Sequence, residues 1–173
     1  GQIILTADTL SADSGLALTT TGNILIKNLT AGQAMGIGTT SGMTLSSGFL
    51  SSMTGGSYTF GSFTSGDLTL NTTRNFGDKN VTIISGNDIA IAGNLSKTSG
   101  TGTANYLLQA NRHIYNANSA GITATSGKIN LTLQSDYDQA AVLGGAISLT
   151  GGSFLSNGGD IILSGGSDVA TGY

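Results

Sequence analysis

Few residues in this chain have the means to do chemistry. Asp136 and Asp138 flank Tyr137. Residues two apart on a strand share a face, so both carboxylates could point the same way. In a glycosidase the distance between two such groups sets the stereochemical outcome. Asp is also a turn former, and no further group converges on the pair. The sequence therefore reads Asp136-Tyr137-Asp138 as a turn rather than a catalytic dyad. His113 is the sole histidine, it follows Arg112, and the chain has no cysteine. A zinc centre needs three or four ligands, so no metal is expected. A step of 25 residues aligns His113 with Asp88 and with Asp138. The expectation is an exposed imidazole in an acidic column, forming at most a pH-dependent pair.

Other motifs fail on spacing. Gly158-Gly159-Asp160-Ile161-Ile162-Leu163-Ser164-Gly165-Gly166 has the flavour of a calcium-binding β-roll but not its order of glycines and aspartate. Thr101-Gly102-Thr103 and Thr123-Ala124-Thr125 have the Thr-x-Thr form of ice-binding arrays, but two copies 22 residues apart are too few and out of step with a 25-residue repeat. No phosphate-cradling Gly-x-x-x-x-Gly-Lys-Ser/Thr string occurs. No cofactor is expected. Lys27, Arg74, Lys79, Lys97, Arg112 and Lys128 are scattered through a chain of net charge −3. No basic patch exists to neutralise phosphates, which excludes nucleic acid as a partner. Five Asn-x-Ser/Thr sequons, at Asn28, Asn71, Asn80, Asn94 and Asn130, are candidate glycan acceptors.

The composition says which elements must position these groups. The 173 residues include 28 Gly and no Pro, Trp, Cys or Glu, and only 9% are charged, against about 25% in ordinary domains. The strong formers that coat helix surfaces are nearly missing. Thr, Ile, Val, Tyr and Phe favour strands, and Gly, Asn, Asp and Ser favour turns. A disordered chain would lack ordered apolar triplets, whereas this one is 38% hydrophobic with a clear pattern. No apolar run approaches the roughly 20 residues needed to span a bilayer. Gly1-Gln2-Ile3-Ile4-Leu5 reads as a strand under way rather than a signal peptide, the mark of a mature or excised fragment.

A short unit recurs: a turn residue, one more residue, then apolar-x-apolar. It appears as Gly22-Asn23-Ile24-Leu25-Ile26, Gly66-Asp67-Leu68-Thr69-Leu70, Asn87-Asp88-Ile89-Ala90-Ile91, Gly127-Lys128-Ile129-Asn130-Leu131 and Gly159-Asp160-Ile161-Ile162-Leu163, among others. The period of two buries the apolar pair on one face. Over this lies a longer repeat: the strings beginning at Val81, Tyr106 and Leu131 align at steps of 25 residues, and the next step lengthens to about 30 to 33 around Gln139 to Gly144. A period in the twenties built of short strands is what one coil of a parallel β-helix requires. An antiparallel sandwich also uses short strands at regular spacing, but it has no need to repeat one string at a fixed offset. The expectation is an all-β parallel β-helix, or solenoid, with coils of about 25 residues and loop insertions. It spans 1–173 as a single segment, less regular over 1–65 and regular over 66–168. Residues 31–38 are expected to form irregular coils or a loop.

Tyr106-Leu107-Leu108-Gln109-Ala110-Asn111-Arg112-His113-Ile114 and Gly127-Lys128-Ile129-Asn130-Leu131-Thr132-Leu133-Gln134-Ser135 carry a resemblance to a known family. So do Leu143-Gly144-Gly145-Ala146-Ile147-Ser148-Leu149 and the run from Ser156 to Gly166. These strings resemble filamentous-haemagglutinin-type exoproteins of two-partner secretion systems. The similarity covers residues 66–168 well and the remainder loosely. It implies a right-handed helix, export through an outer-membrane β-barrel transporter, and adhesion to cells or surfaces. It also implies hexose attachment at one or more of the sequons. The secretion module of such proteins carries Asn-Pro motifs, and this chain has no proline, so it reads as an internal segment or one outside the secretion signal proper.

The functional expectation is therefore non-enzymatic. The chain would be a rigid, adhesive segment of a large exoprotein, secreted or displayed on the surface of a Gram-negative bacterium, presenting a polar surface to a host-cell or surface glycan or protein receptor. An alternative is a secretion and folding-nucleation module. A third is a polysaccharide-acting β-helix enzyme, which would require an acidic and aromatic groove.

Overall fold

Strand after strand is built on the apolar-x-apolar unit. The computed structural model describes residues 1–11, 15–39, 41–139 and 144–166. In chain order its strands are β1 Ile3–Thr6, β2 Leu18–Thr19, β3 Asn23–Lys27, β4 Met35–Ile37, β5 Met43–Leu45, β6 Met53–Thr54, β7 Ser57–Ser62, β8 Leu68–Leu70 and β9 Asn80–Ser85. There follow β10 Ile89–Ile91, β11 Leu95–Lys97, β12 Thr103–Ala110, β13 Ile114–Asn116, β14 Ile122–Ala124, β15 Lys128–Ser135, β16 Ile147–Ser148, β17 Phe154–Leu155 and β18 Ile161–Gly165. One short helix, α1 Ser47–Ser51, lies between β5 and β6. The absence of glutamate and the scarcity of lysine leave little from which a longer exposed helix could be made.

All strand pairs are parallel, and the chain moves from sheet to sheet in a repeating order. The long sheet runs β1-β3-β7-β9-β12-β15-β18, and a second runs β5-β4-β8-β10-β13-β16. A third side holds β11-β14-β17, and β2 and β6 pair separately. From β9 onward the chain visits the long sheet, the second sheet and the third side in turn, then returns to the long sheet one rung further on, about 4.8 Å away.

The register matches the 25-residue reading: Val81, Tyr106 and Leu131 are neighbours in one column. The next step pairs Leu131 with Ile161, Ile114 with Ile147 and Ile122 with Phe154. Buried side chains stack like on like. One column is Ile24, Tyr58, Val81, Tyr106 and Leu131; the next is Ile26, Phe60, Ile83, Leu108 and Leu133. Together they form one continuous apolar cluster with the buried residues of the second sheet and third side. Ile161 and Leu163 continue the two columns but stay 44% and 53% exposed, because no described strand lies beyond β18.

The structure corrects the expectation of an irregular stretch over 31–38. Met35-Gly36-Ile37 is a buried strand, β4, paired with β8 on one side and β5 on the other. Met35 faces Met43 and Ile37 faces Leu45, so two strands pair in parallel across a connection of five residues. Parallel pairs ordinarily need a dozen or more. Gly38 and Gly42, at φ 74° and 60°, reverse the chain where other residues would be strained. Glycine within Met-x-Ile hid this strand, because it weakens strand propensity.

Candidate functional site

The outward face of the long sheet mixes polar columns with apolar side chains such as Ile4, Leu25, Leu107 and Ile162. Ser57, Asn80, Asn105 and Asn130 occupy one column. Asn80 Oδ1 accepts from the Asn105 backbone N–H at 2.8 Å and from Asn105 Nδ2 at 3.2 Å, and Asn130 Nδ2 donates to Asn105 Oδ1 at 3.0 Å. Asn130 Oδ1 in turn accepts the Asp160 N–H at 3.2 Å. Nearer the far edge, Gln109 Nε2 donates to Gln134 Oε1 at 2.8 Å. Identical amides one rung apart thus bond to each other along these columns.

A second polar column lies at the corner where the chain leaves the long sheet for the second. Asp67, Asp88 and His113 each immediately precede a second-sheet strand. Each accepts the backbone N–H of the equivalent residue one rung on: Asp67 Oδ1 from Asp88 at 3.2 Å, Asp88 Oδ1 from His113 at 3.0 Å, and His113 Nδ1 from Ala146 at 3.1 Å. The last bond assigns the imidazole proton to Nε2. Ala146 rather than Asp138 is thus the next member of the His113 column, because the longer step shifts the register past residue 138. Arg112 grips Asp88 with both arms, Nε to Oδ1 at 2.7 Å and Nη2 to Oδ2 at 2.6 Å. Burial alone raises the Asp88 carboxyl, but the Arg112 pair and the His113 N–H outweigh it and hold it below the usual carboxylate range. A carboxylate held ionised in this way is no general acid. Beside this corner Phe63 and Tyr137 stack with ring centroids 4.6 Å apart.

Asp136 and Asp138 do not share a strand face. β15 ends at Ser135, Asp136 has φ 53°, and the Gln139 N–H returns to the Asp136 carbonyl at 3.1 Å, so the motif is a turn. No group of three His, Asp or Glu side chains that could hold a metal occurs among the described residues. Thr103 begins β12 of the long sheet while Thr123 lies on the third side, so the two Thr-x-Thr strings belong to different sheets. The run from Gly158 to Gly166 forms β18 and the turn before it. Of the sequons, Asn71, Asn80 and Asn94 are exposed and Asn130 is half-buried. Asn28 is buried, its Nδ2 bonded to the Ala34 carbonyl at 3.3 Å, which removes it from the accessible acceptors.

Two cations that look like scattered surface charge in the sequence are built into the molecule. Lys97 ends β11 on its buried side, and its side chain is wholly inaccessible. Its Nζ donates to the carbonyls of Ser99 at 2.9 Å, Gly100 at 3.1 Å and Ser126 at 2.8 Å, and contacts Asp78 Oδ1 at 2.6 Å. One ammonium thereby joins three successive turns at the corner leading back to the long sheet. The Lys97 hydrogen bond is the chief reason the Asp78 carboxyl sits below its usual range. Asn116, the buried end of β13, satisfies another turn in the same manner, accepting from Thr150 N–H at 2.6 Å and donating to the Ala120 carbonyl at 2.7 Å. The available signal was a polar third residue in an otherwise apolar-x-apolar unit: Leu95-Ser96-Lys97 and Ile114-Tyr115-Asn116.

Arg74 links β6 with β11, for it reaches the Met53 carbonyl of β6 while the adjacent Asn75 makes an isolated bridge to Ser96 of β11. Its guanidinium donates to the Leu50 carbonyl and, at 3.1 Å, to the Met53 carbonyl, acceptors that a neighbouring strand would otherwise take. It lies 5.1 Å from the Phe76 ring centre and 5.7 Å from that of Tyr58. A surface cavity of about 190 Å³ opens beside it, lined by Ser47, Leu50, Ser51, Thr72, Thr73 and Arg74. No local signal marked Arg74, since its partners are 21 and 24 residues away.

No helix among the described residues is long and apolar enough to cross a membrane. No family model, no curated protein and no solved structure matches the chain.

Proposed function

We propose that the repeating circuits close into a right-handed parallel β-helix, and that the chain is a rigid structural and adhesive segment of a secreted or surface-displayed bacterial exoprotein. The observation that carries this reading is the in-register, all-parallel ladder of seven strands, with columns of paired amides along part of its outer face. Successive parallel strands joined through other sheets favour a right-handed path, the hand of nearly all such crossovers. A stack of this kind lengthens by adding rungs and stays stiff. Its function is then to hold a polar surface away from the cell, toward a glycan or protein receptor. The strings that resemble filamentous-haemagglutinin-type exoproteins support the same reading, and with it passage through an outer-membrane β-barrel transporter.

Adhesion and export are separable. Deleting this segment from the parent exoprotein is expected to leave secretion intact while cell or surface binding falls. Loss of secretion instead would favour a folding-nucleation module that drives export. Isolated segment on beads, screened against host cells and a glycan panel, is expected to be retained on at least one surface. Uniform failure to bind, with folding intact by circular dichroism, would refute the adhesive role.

A further inference from the structure

The cavity beside Arg74 has the makings of a small, discrete binding site, and it stands independently of the adhesive reading. The chain carries a net negative charge, and the ion pairs among the described residues are Lys97 with Asp78 and Arg112 with Asp88. Arg74 belongs to neither. Unlike a surface lysine on a flexible stem, its guanidinium is held in place by two backbone carbonyls and two aromatic faces. Those two carbonyl bonds engage one N–H on each terminal nitrogen, and Nε is buried, so one N–H on Nη1 and one on Nη2 are left for a ligand. A cation fixed in advance loses little entropy on meeting an anion, and its planar fork matches a carboxylate.

The walls point to what bears that carboxylate. Ser47, Ser51, Thr72 and Thr73 contribute four hydroxyls, and Leu50 the single apolar side chain. Thr72 Oγ1 is engaged with the Arg74 N–H, and Ser51 Oγ donates to the Ser47 carbonyl. The hydroxyls of Ser47 and Thr73 make no hydrogen bond with described residues, and both residues are exposed on the rim. A volume of about 190 Å³ is far more than a bare inorganic ion fills, since a water occupies about 30 Å³ in the liquid. It is below the roughly 300 Å³ at which pockets for larger ligands begin. Free hydroxyls around a fixed cation, in a space of this size, suit one polyhydroxylated ring with a carboxylate.

We propose that this cavity is a binding site for a single acidic sugar of the uronic-acid class, with Arg74 receiving the carboxylate and Ser47 and Thr73 contacting ring hydroxyls. The test is titration of the folded chain with glucuronate, glucose and inorganic sulfate, followed by NMR or calorimetry. Glucuronate is expected to bind at least about tenfold more tightly than glucose, and to weaken as salt is raised because the attraction is partly screened. Equal affinities for glucuronate and glucose would overturn the proposal. Sulfate binding as well as glucuronate would overturn the sugar assignment. Arg74→Gln is expected to abolish the preference for glucuronate over glucose. If that variant fails to fold, Thr73→Tyr on the exposed rim takes its place: loss of glucuronate binding with an unchanged melting temperature supports the site, and unchanged affinity refutes it.

Discussion

Replacing Lys97 with methionine tests whether one buried ammonium holds the corner together. Methionine keeps most of the apolar stem and removes only the charged head. Three hydrogen bonds from that head, at 2.8 to 3.1 Å, are lost. Bonds to a charged donor are worth about 1.5–3 kcal/mol each, a gross loss of roughly 5–9 kcal/mol. Two effects reduce it. The desolvation cost of the lysine, several kcal/mol for a buried ion, disappears with the charge. Ser99 and Gly100 are exposed, so water can reach their carbonyls. The partner left behind, Asp78, keeps 43% of its side chain in solvent and rehydrates. Removing one member of a fully buried pair costs about 3–5 kcal/mol. The expected loss here is smaller, about 2–3 kcal/mol, or a fall in melting temperature of roughly 5–10 °C for a chain of this length. Urea unfolding followed by circular dichroism gives the magnitude. Hydrogen exchange gives the place: the amides of Thr125 and Lys128, bonded to the Lys97 and Gly102 carbonyls at 2.9 and 3.1 Å, should exchange faster, while those of the central long-sheet columns hold. A variant within about 0.5 kcal/mol of the parent, the range of ordinary surface substitutions, would refute the clamp.

Three further outcomes follow from the same reasoning. Tyr106 is fully buried, its hydroxyl has no partner among the described residues, and burial pushes its pKa up to about 12; Tyr106→Phe should be neutral or stabilising by about 1 kcal/mol, and a clear loss in urea unfolding would reveal a partner for that hydroxyl. The carboxyls of Asp8, Asp78 and Asp88 all lie below their usual range in the folded chain. Their contribution is therefore present above the unfolded carboxylate pKa and lost as pH falls through the lowered folded values, so stability should decline below about pH 4. Asp88→Asn should flatten that acid limb, and an unchanged profile would show that the Arg112 pair adds nothing. Peptide mapping of natively produced protein is expected to place any hexose on Asn71, Asn80 or Asn94 and none on Asn28, which is buried; a hexose on Asn28 in folded protein would contradict this burial.

The sequence by itself determined that this chain is made of short strands and turns, and it determined the 25-residue register from Val81 to Leu131. Both follow from local rules: alternation sets which face is buried, and turn formers set where the chain bends. Like residues stack because each rung repeats the one before. The same local rules passed over β4, where glycine separates Met35 from Ile37, and could not place Ala146 in the His113 column, because the longer step carries the register past Asp138.

Only the tertiary structure decided what the cations do. Arg74 has the composition of surface charge, and nothing within a few residues distinguishes it from Lys79 or Lys128; Lys97 is marked as a polar third residue in Leu95-Ser96-Lys97, but that does not say what it binds. Their partners are carbonyls and rings brought near by stacking: Ser126 lies 29 residues from Lys97, and Leu50 lies 24 from Arg74. Backbone acceptors are offered by every residue type. A side chain that satisfies them leaves no complementary partner in the sequence, and its role is settled by the way the rungs are stacked.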